Sequence, residues 1–260
     1  VKHFAADDSL DRINVHGVEN LIRLCRKTER KLIQISTVSI AGENVNGKFP
    51  PEKKLHEQEL FFGQNISNKY IDSKFRAEKA VLEAVAGGLR GKVIRLGNLM
   101  SRDSDGEFQI NFVTNGFMRV LRGYAAIGKF PVSAMDAPAE FSPIDSTARA
   151  ILKLAETSDE FTVFHAYNYH VVQMADVIAA FNEYGIRIDI VKNDEFLAAM
   201  GEAMQDEKKN MLIAGLISYL PGDRENSIAP VEPDNTFTTK VLYRLGFRWP
   251  ITSDRYLKNA

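Results

Sequence analysis

Lys31-Leu32-Ile33-Gln34-Ile35-Ser36 is a short apolar run with β-branched residues, preceded by charge and running into Thr37-Val38-Ser39. That is the signature of a buried strand. Upstream, residues 9–28 read as a helix, with Ile13, Val18, Leu21, Ile22 and Cys25 near the helical period and Lys/Arg gathered at its end. Downstream, Tyr70–Ala86 is again helical in period, and Gly87-Gly88 closes it. Lys92–Leu96 (KVIRL) is a second buried strand and Thr162–Tyr167 (TVFHAY) a third. Residues 111–122 and 145–155 are further helix candidates, and helix 172–184 is followed by strand 187–191. The alternation of helix and strand predicts a parallel α/β sheet. Residues 42–60, with Gly42, Gly47, Pro50, Pro51 and many charges, predict a long exposed loop. Beyond about residue 100 the pattern turns irregular, which predicts a smaller α+β lobe interleaved with the sheet domain.

The 260 residues are 45% hydrophobic and 26% charged, enough to bury a sizeable core. Lys+Arg is 33 against Asp+Glu 34, a net charge of -1, so no basic face for nucleic acid is expected. No apolar run approaches the roughly 20 residues of a membrane span. A single cysteine, Cys25, excludes an internal disulfide and fits a reducing cytoplasm; its place on an apolar stripe predicts burial. The chain opens Val1-Lys2-His3-Phe4 with no initiator Met, which reads as a boundary and not as a natural start.

The chemistry centres on Tyr70-Ile71-Asp72-Ser73-Lys74. Residues four apart share a helical face, so a Tyr hydroxyl and a Lys ammonium can enter one cleft. A phenol of pKa about 10 is a poor acid at neutral pH, and a nearby ammonium favours the phenolate. Alone the spacing is weak. Thr37, a small hydroxyl at the carboxyl end of a parallel strand, stands where ligands bind in open α/β sheets and can share the charge of a carbonyl oxygen.

With Asn14-Val15-His16-Gly17, Ile35-Ser36-Thr37, Tyr70 with Lys74 and Arg95-Leu96-Gly97-Asn98, the chain resembles the extended short-chain dehydrogenase/reductase family. Within it the likeness is to the thioester reductase domains of nonribosomal peptide synthetases. Asp105-Gly106-Glu107-Phe108-Gln109, Phe141-Ser142-Pro143-Ile144-Asp145 and Leu245-Gly246-Phe247-Arg248-Trp249-Pro250 carry that subgroup signal. The resemblance implies a partial Rossmann-like domain over residues 1–100, joined by the strand near 162–167, and a substrate lobe mainly over 101–260. It implies that Tyr70 donates a proton to the carbonyl oxygen, that Lys74 lowers the Tyr pKa and holds the nicotinamide ribose, and that Thr37 binds the carbonyl oxygen. Ser36, Leu96, Gly97 and Asn98 would line the nicotinamide end. Asn14 would lie near the cofactor, with helix N-capping the alternative. The cofactor would be NADP(H), with NAD(H) open, and the partner an acyl or peptidyl carrier protein bearing a phosphopantetheine arm. The carrier-bound thioester would leave as an aldehyde or alcohol.

In that family the glycine-rich phosphate loop lies upstream of the position matching Val1, and no GxxGxxG occurs in these 260 residues. The expectation is therefore a C-terminal portion, short by on the order of 100 residues at roughly 30 per βαβ unit. Alone it would hold NADPH negligibly, and its exposed sheet edge would invite self-association. The rival readings are a sugar-nucleotide epimerase or dehydratase of the same superfamily, against which Ile40-Ala41-Gly42 replaces an aromatic Tyr-Gly, and a non-catalytic carrier-docking module. Other residues read as structure. His165 is a core histidine, Trp249 packs the carboxy-terminal lobe, and Met200, Met204 and Met211 pack helices. Glu52–Glu59 is a solvated loop face, and His3 and His16 lack a second ligand at metal spacing, so no metal site is assigned.

Overall fold

The computed structural model describes residues 9–110, 115–217 and 228–259. They divide into two units. Of the described residues, the first holds 9–97, 147–167 and 228–248, and the second 98–146, 168–217 and 249–259. His3 lies outside the described residues.

The first unit is built on three parallel strands in the order β1 (Leu32–Thr37), β2 (Gly91–Leu96) and β3 (Val163–Ala166). Every residue of β2 is buried, as the central strand of a covered parallel sheet requires. Lys92 is tolerated there because its Nζ donates to the carbonyls of Ser158 (2.7 Å) and Phe161 (2.6 Å). The register aligns Thr37 with Leu96 and Leu96 with Ala166 at the carboxyl ends of the strands. One step back it aligns Ser36, Arg95 and His165. Helices α1 (Gly17–Thr28) and α2 (Lys69–Ala86) cover the sheet with Val18, Ile22, Cys25, Ala77, Val81 and Ala84 against Leu32 and Val93. Cys25 is buried in that core.

Several expectations need correction. The predicted helix over 9–28 is present, but within it Asp11–His16 is wound as a π-helix. The segment 187–191 does not extend the sheet; Asp189–Val191 pairs in parallel with Lys129–Pro131 in the second unit. Within 101–260, given mainly to the substrate lobe, residues 147–161 and 228–248 fold with the sheet, because β3 needs its crossover helix and the backbone N–H of His165 donates to Thr238 Oγ1 at 2.8 Å.

The 42–60 segment is not simply an exposed loop. Glu43–Val45 pairs with Ile228–Pro230, Lys54–Leu55 pairs with Glu232–Pro233, and Leu55 is fully buried. Glu57 is buried too, its Oε1 accepting from Thr238 Oγ1 (2.8 Å) and Thr238 N (3.0 Å). A carboxylate at the start of the helix Thr236–Arg244 is stabilised by its unpaired amides.

Gly42 closes the turn that follows Thr37, with φ +65°, and a Cβ there would stand 2.4 Å from Asn65 O. Gly42→Ala is therefore expected to destabilise the protein by about 2 kcal/mol or more, read as a lower urea midpoint. A midpoint equal to wild type would show that the 64–65 backbone gives way freely.

In the second unit, α3 (Gly116–Ile127), α5 (Met174–Glu183), α6 (Asn193–Gln205) and α7 (Glu207–Ile217) gather around Phe130, Phe141, Ile178, Phe196 and Tyr256; the crossover helix Ile144–Ala155 is α4. α3 overlaps the predicted helix 111–122 but begins at Gly116 and runs on to Ile127; residues 111–114 lie outside the described residues. Trp249 is buried and Met200 packs on the core, but Met204 and Met211 are exposed. Among the described residues no helix is long and apolar enough to cross a membrane.

Candidate active site

Thr37 is the last residue of β1. Its Oγ1 accepts the Ser39 amide at 3.1 Å, and its hydroxyl donates to Ser39 Oγ at 3.0 Å. These bonds fix the chain as it leaves the strand in extended backbone (φ -136°) and enters a short 3-10 turn, Val38–Ala41.

The helix carrying Tyr70 and Lys74 begins with Asn68 as its cap. Asn68 Oδ1 accepts the amides of Tyr70 (2.9 Å) and Ile71 (3.2 Å), so the first turn is fixed at the residue before Lys69. Ser73 donates to Tyr70 O (2.8 Å), and Asn14 Nδ2 in turn donates to Ser73 Oγ (3.0 Å). Asn14 thus joins the π-helical segment to the Tyr70 turn; it lies inside that segment and is not its N-cap. Arg76 adds ion pairs to Asp72 and Asp11 across the same two elements.

Lys74 Nζ donates to Ile35 O at 2.7 Å, which brings the Lys turn against the carboxyl half of β1. Burial lowers the Lys74 pKa, and the Glu78 carboxylate one turn further on raises it. An ammonium has three donors, of which Ile35 O takes one. The others suit the hydroxyls of a ribose. The parallel strand ends bearing Thr37 and Leu96 form the edge where α/β sheets take ligands. The residues therefore fit a nicotinamide nucleoside.

Ser36 and Leu96 are both buried, and Gly97 follows Leu96 directly. The Ser36 hydroxyl donates to Glu78 Oε2 at 2.8 Å. Asn98 belongs to the second unit, where its N–H donates to Glu140 Oε2 at 2.5 Å. Burial pushes the Glu140 carboxyl up to about 7, against hydrogen bonds from Ser142 and the Asn98 amide that lower it. Among the described residues no cluster of three or more His, Cys, Asp or Glu could hold a metal.

Sequence reasoning missed two residues beside this site. Glu78, four residues after Lys74, and Arg95, in an apolar strand, form an ion pair with no solvent exposure on either side chain. A charge at an apolar position of a central strand was the signal for Arg95. His56 Nδ1 pairs with Asp234 Oδ2 at 3.1 Å at the margin of the same unit.

Known proteins and solved structures resemble this chain over nearly its whole length. A thiolation-reductase di-domain from an archaeal non-ribosomal peptide synthetase is 36% identical with TM-score 0.86, over 100% of this chain and 54% of that one. The reductase domain of the aureusimine biosynthetic cluster is 28% identical with TM-score 0.81, over 98% of this chain and 65% of that one. A linear gramicidin synthase polypeptide of Brevibacillus parabrevis is 24% identical over 93% of this chain, which spans 5% of the synthase polypeptide. The likeness to reductase domains of nonribosomal peptide synthetases, carried in the sequence by scattered motifs, extends to the Rossmann-like fold. Residues 1–151, more than half of the chain, match the family of NAD-binding domains named Male sterility protein, and the chain belongs to that family.

Proposed function

We propose that these residues carry the Thr–Tyr–Lys catalytic part of a reductase that releases a carrier-bound acyl or peptidyl thioester as an aldehyde or alcohol. The observation that carries the reading is the bond from Lys74 Nζ to Ile35 O, which sets the Tyr70–Lys74 face of α2 over the strand ending in Thr37. Bound NADPH, or NADH, supplies the hydride. Thr37 holds the thioester carbonyl oxygen, and Tyr70, one turn before Lys74, gives that oxygen its proton. Lys74 holds the ribose and keeps the phenol acidic enough to act near neutral pH. The hemithioacetal collapses to aldehyde and carrier thiol, and a second reduction gives alcohol. A partner bearing a phosphopantetheine arm follows from the thioester, and single, buried Cys25 fits a reducing cytoplasm.

The test is reduction of acyl-pantetheine thioesters by the full-length protein with NADPH, following nicotinamide absorbance and identifying the product. Nucleotide sugars should be inert; turnover of a nucleotide sugar and not of a thioester would overturn the reading. Thr37→Val should lower kcat about 10²-fold, as loss of one oxyanion donor does, with little change in NADPH affinity. A kcat equal to wild type would remove Thr37 from the mechanism.

A further inference from the structure

The side chain of Arg95 lies in the middle of the first unit with no solvent exposure, and its five N–H donors all have acceptors. Nε donates to Glu78 Oε1 at 2.9 Å, and Nη2 donates to the same oxygen and to Glu59 O at 2.8 Å. Nη1 reaches His165 Nε2 at 2.7 Å and His56 O at 3.4 Å. His165 Nδ1 donates to Asp234 O at 2.6 Å, so its Nε2 is the acceptor for Arg95. Glu78 Oε2 takes the Ser36 hydroxyl at 2.8 Å.

Each of these partners lies beside a different part of the proposed site. Ser36 precedes Thr37. Glu78 is one helical turn beyond Lys74, itself one turn beyond Tyr70. Arg95 precedes Leu96 and Gly97, and His56 and Glu59 lie in the loop between Thr37 and Tyr70. A group serving only stability could be apolar, because replacing a buried ion pair by packed hydrophobics is often neutral or stabilising. A planar guanidinium with every donor spent fixes distances and angles instead.

We infer that Glu78 and Arg95 are positioning residues that set the spacing between Thr37 on β1 and the Tyr70–Lys74 face of α2, and that hold the 56–59 loop to the same frame. Neither group touches substrate or cofactor. The inference rests on the thioester reductase reading for its kinetic consequence, and on the geometry alone for its structural one.

The experiment compares full-length wild type with Glu78→Leu/Arg95→Met and with Ser36→Ala. Three quantities are read: Tm, the NADPH Kd, and kcat with KM for an acyl-pantetheine. Amide hydrogen exchange over residues 56–59 and 70–74 is followed in parallel, with helix 17–28 as internal reference. The double variant should fold with Tm near wild type and keep its NADPH Kd within about twofold, yet lose kcat by about 10- to 100-fold, the scale of a misplaced reacting group. Ser36→Ala, which removes one bond and no charge, should lose kcat about threefold or more and serves if the double variant does not fold. Both should exchange faster at 56–59 and 70–74 while 17–28 stays protected. A folded variant with wild-type kcat and wild-type exchange in those segments overturns the positioning role. Wild type inert toward thioesters overturns the thioester reading alone, and the exchange data then decide the positioning role by themselves.

Discussion

Tyr70→Phe is expected to lower thioester reduction by about 10²- to 10⁴-fold, the contribution of a positioned general acid. The substitution keeps the ring and removes only the hydroxyl. The bonds that hold this turn are made by the backbone: the Tyr70 amide donates to Asn68 Oδ1, and the Tyr70 carbonyl accepts from Ser73 Oγ. Neither depends on the phenol, so both persist in the variant, and NADPH Kd should stay close to wild type. The loss should appear in kcat. Lys74→Met should differ in kind, weakening NADPH binding as well, because its ammonium is assigned both the ribose and the field at the phenol. A Tyr70→Phe protein with unchanged turnover would revive the reading of a carrier-docking module without chemistry. A fall in kcat matched by a large fall in Tm would point to a structural role for the hydroxyl.

Much of the fold was legible because each sheet strand is a nearly continuous apolar run and α2 carries both its period and its closing glycines. Where the sequence misled, the deciding contacts lay far along the chain. Glu52–Glu59 reads as a solvated charge run until Thr238, at the start of a distant helix, supplies two donors to Glu57. The π-helical turn at Asp11–His16 shifts the apolar period: Val15 is buried there, and Ile13, on the stripe read from sequence, is exposed. Adjacent strand residues face opposite sides, so the side chains of Ser36 and Thr37 diverge, and the Ser36 hydroxyl goes to Glu78. Glu78 and Arg95 were visible as charges at inward positions, but their pairing needed the register that sets Arg95 between Ser36 and His165.

His165 supplies the second large effect, on stability and not on rate. Burial first, and then the Arg95 charge, hold its pKa down to about 3 from an ordinary 6.5. The imidazole is therefore neutral in the folded protein, as its bonds require: Nδ1–H to Asp234 O, and a bare Nε2 to receive Arg95. As pH falls through 6.5 the unfolded chain takes up this proton and the folded chain does not, so stability is lost progressively down to about 3. At about 1.4 kcal/mol per pH unit, the drop from pH 6.5 to pH 4 costs on the order of 3 kcal/mol through this one group. Carboxylates add to acid unfolding, but they do so equally in a variant that lacks the imidazole. His165→Gln keeps one acceptor and one donor and cannot titrate. Its stability at pH 7 should be lower than wild type, because the amide fits the Arg95–Asp234 span less well. Its urea midpoint should nevertheless fall less steeply toward pH 4, and the two curves should converge. Parallel curves for the two proteins would mean that His165 takes up its proton equally in the folded and unfolded chains, which would overturn its role as acceptor for Arg95.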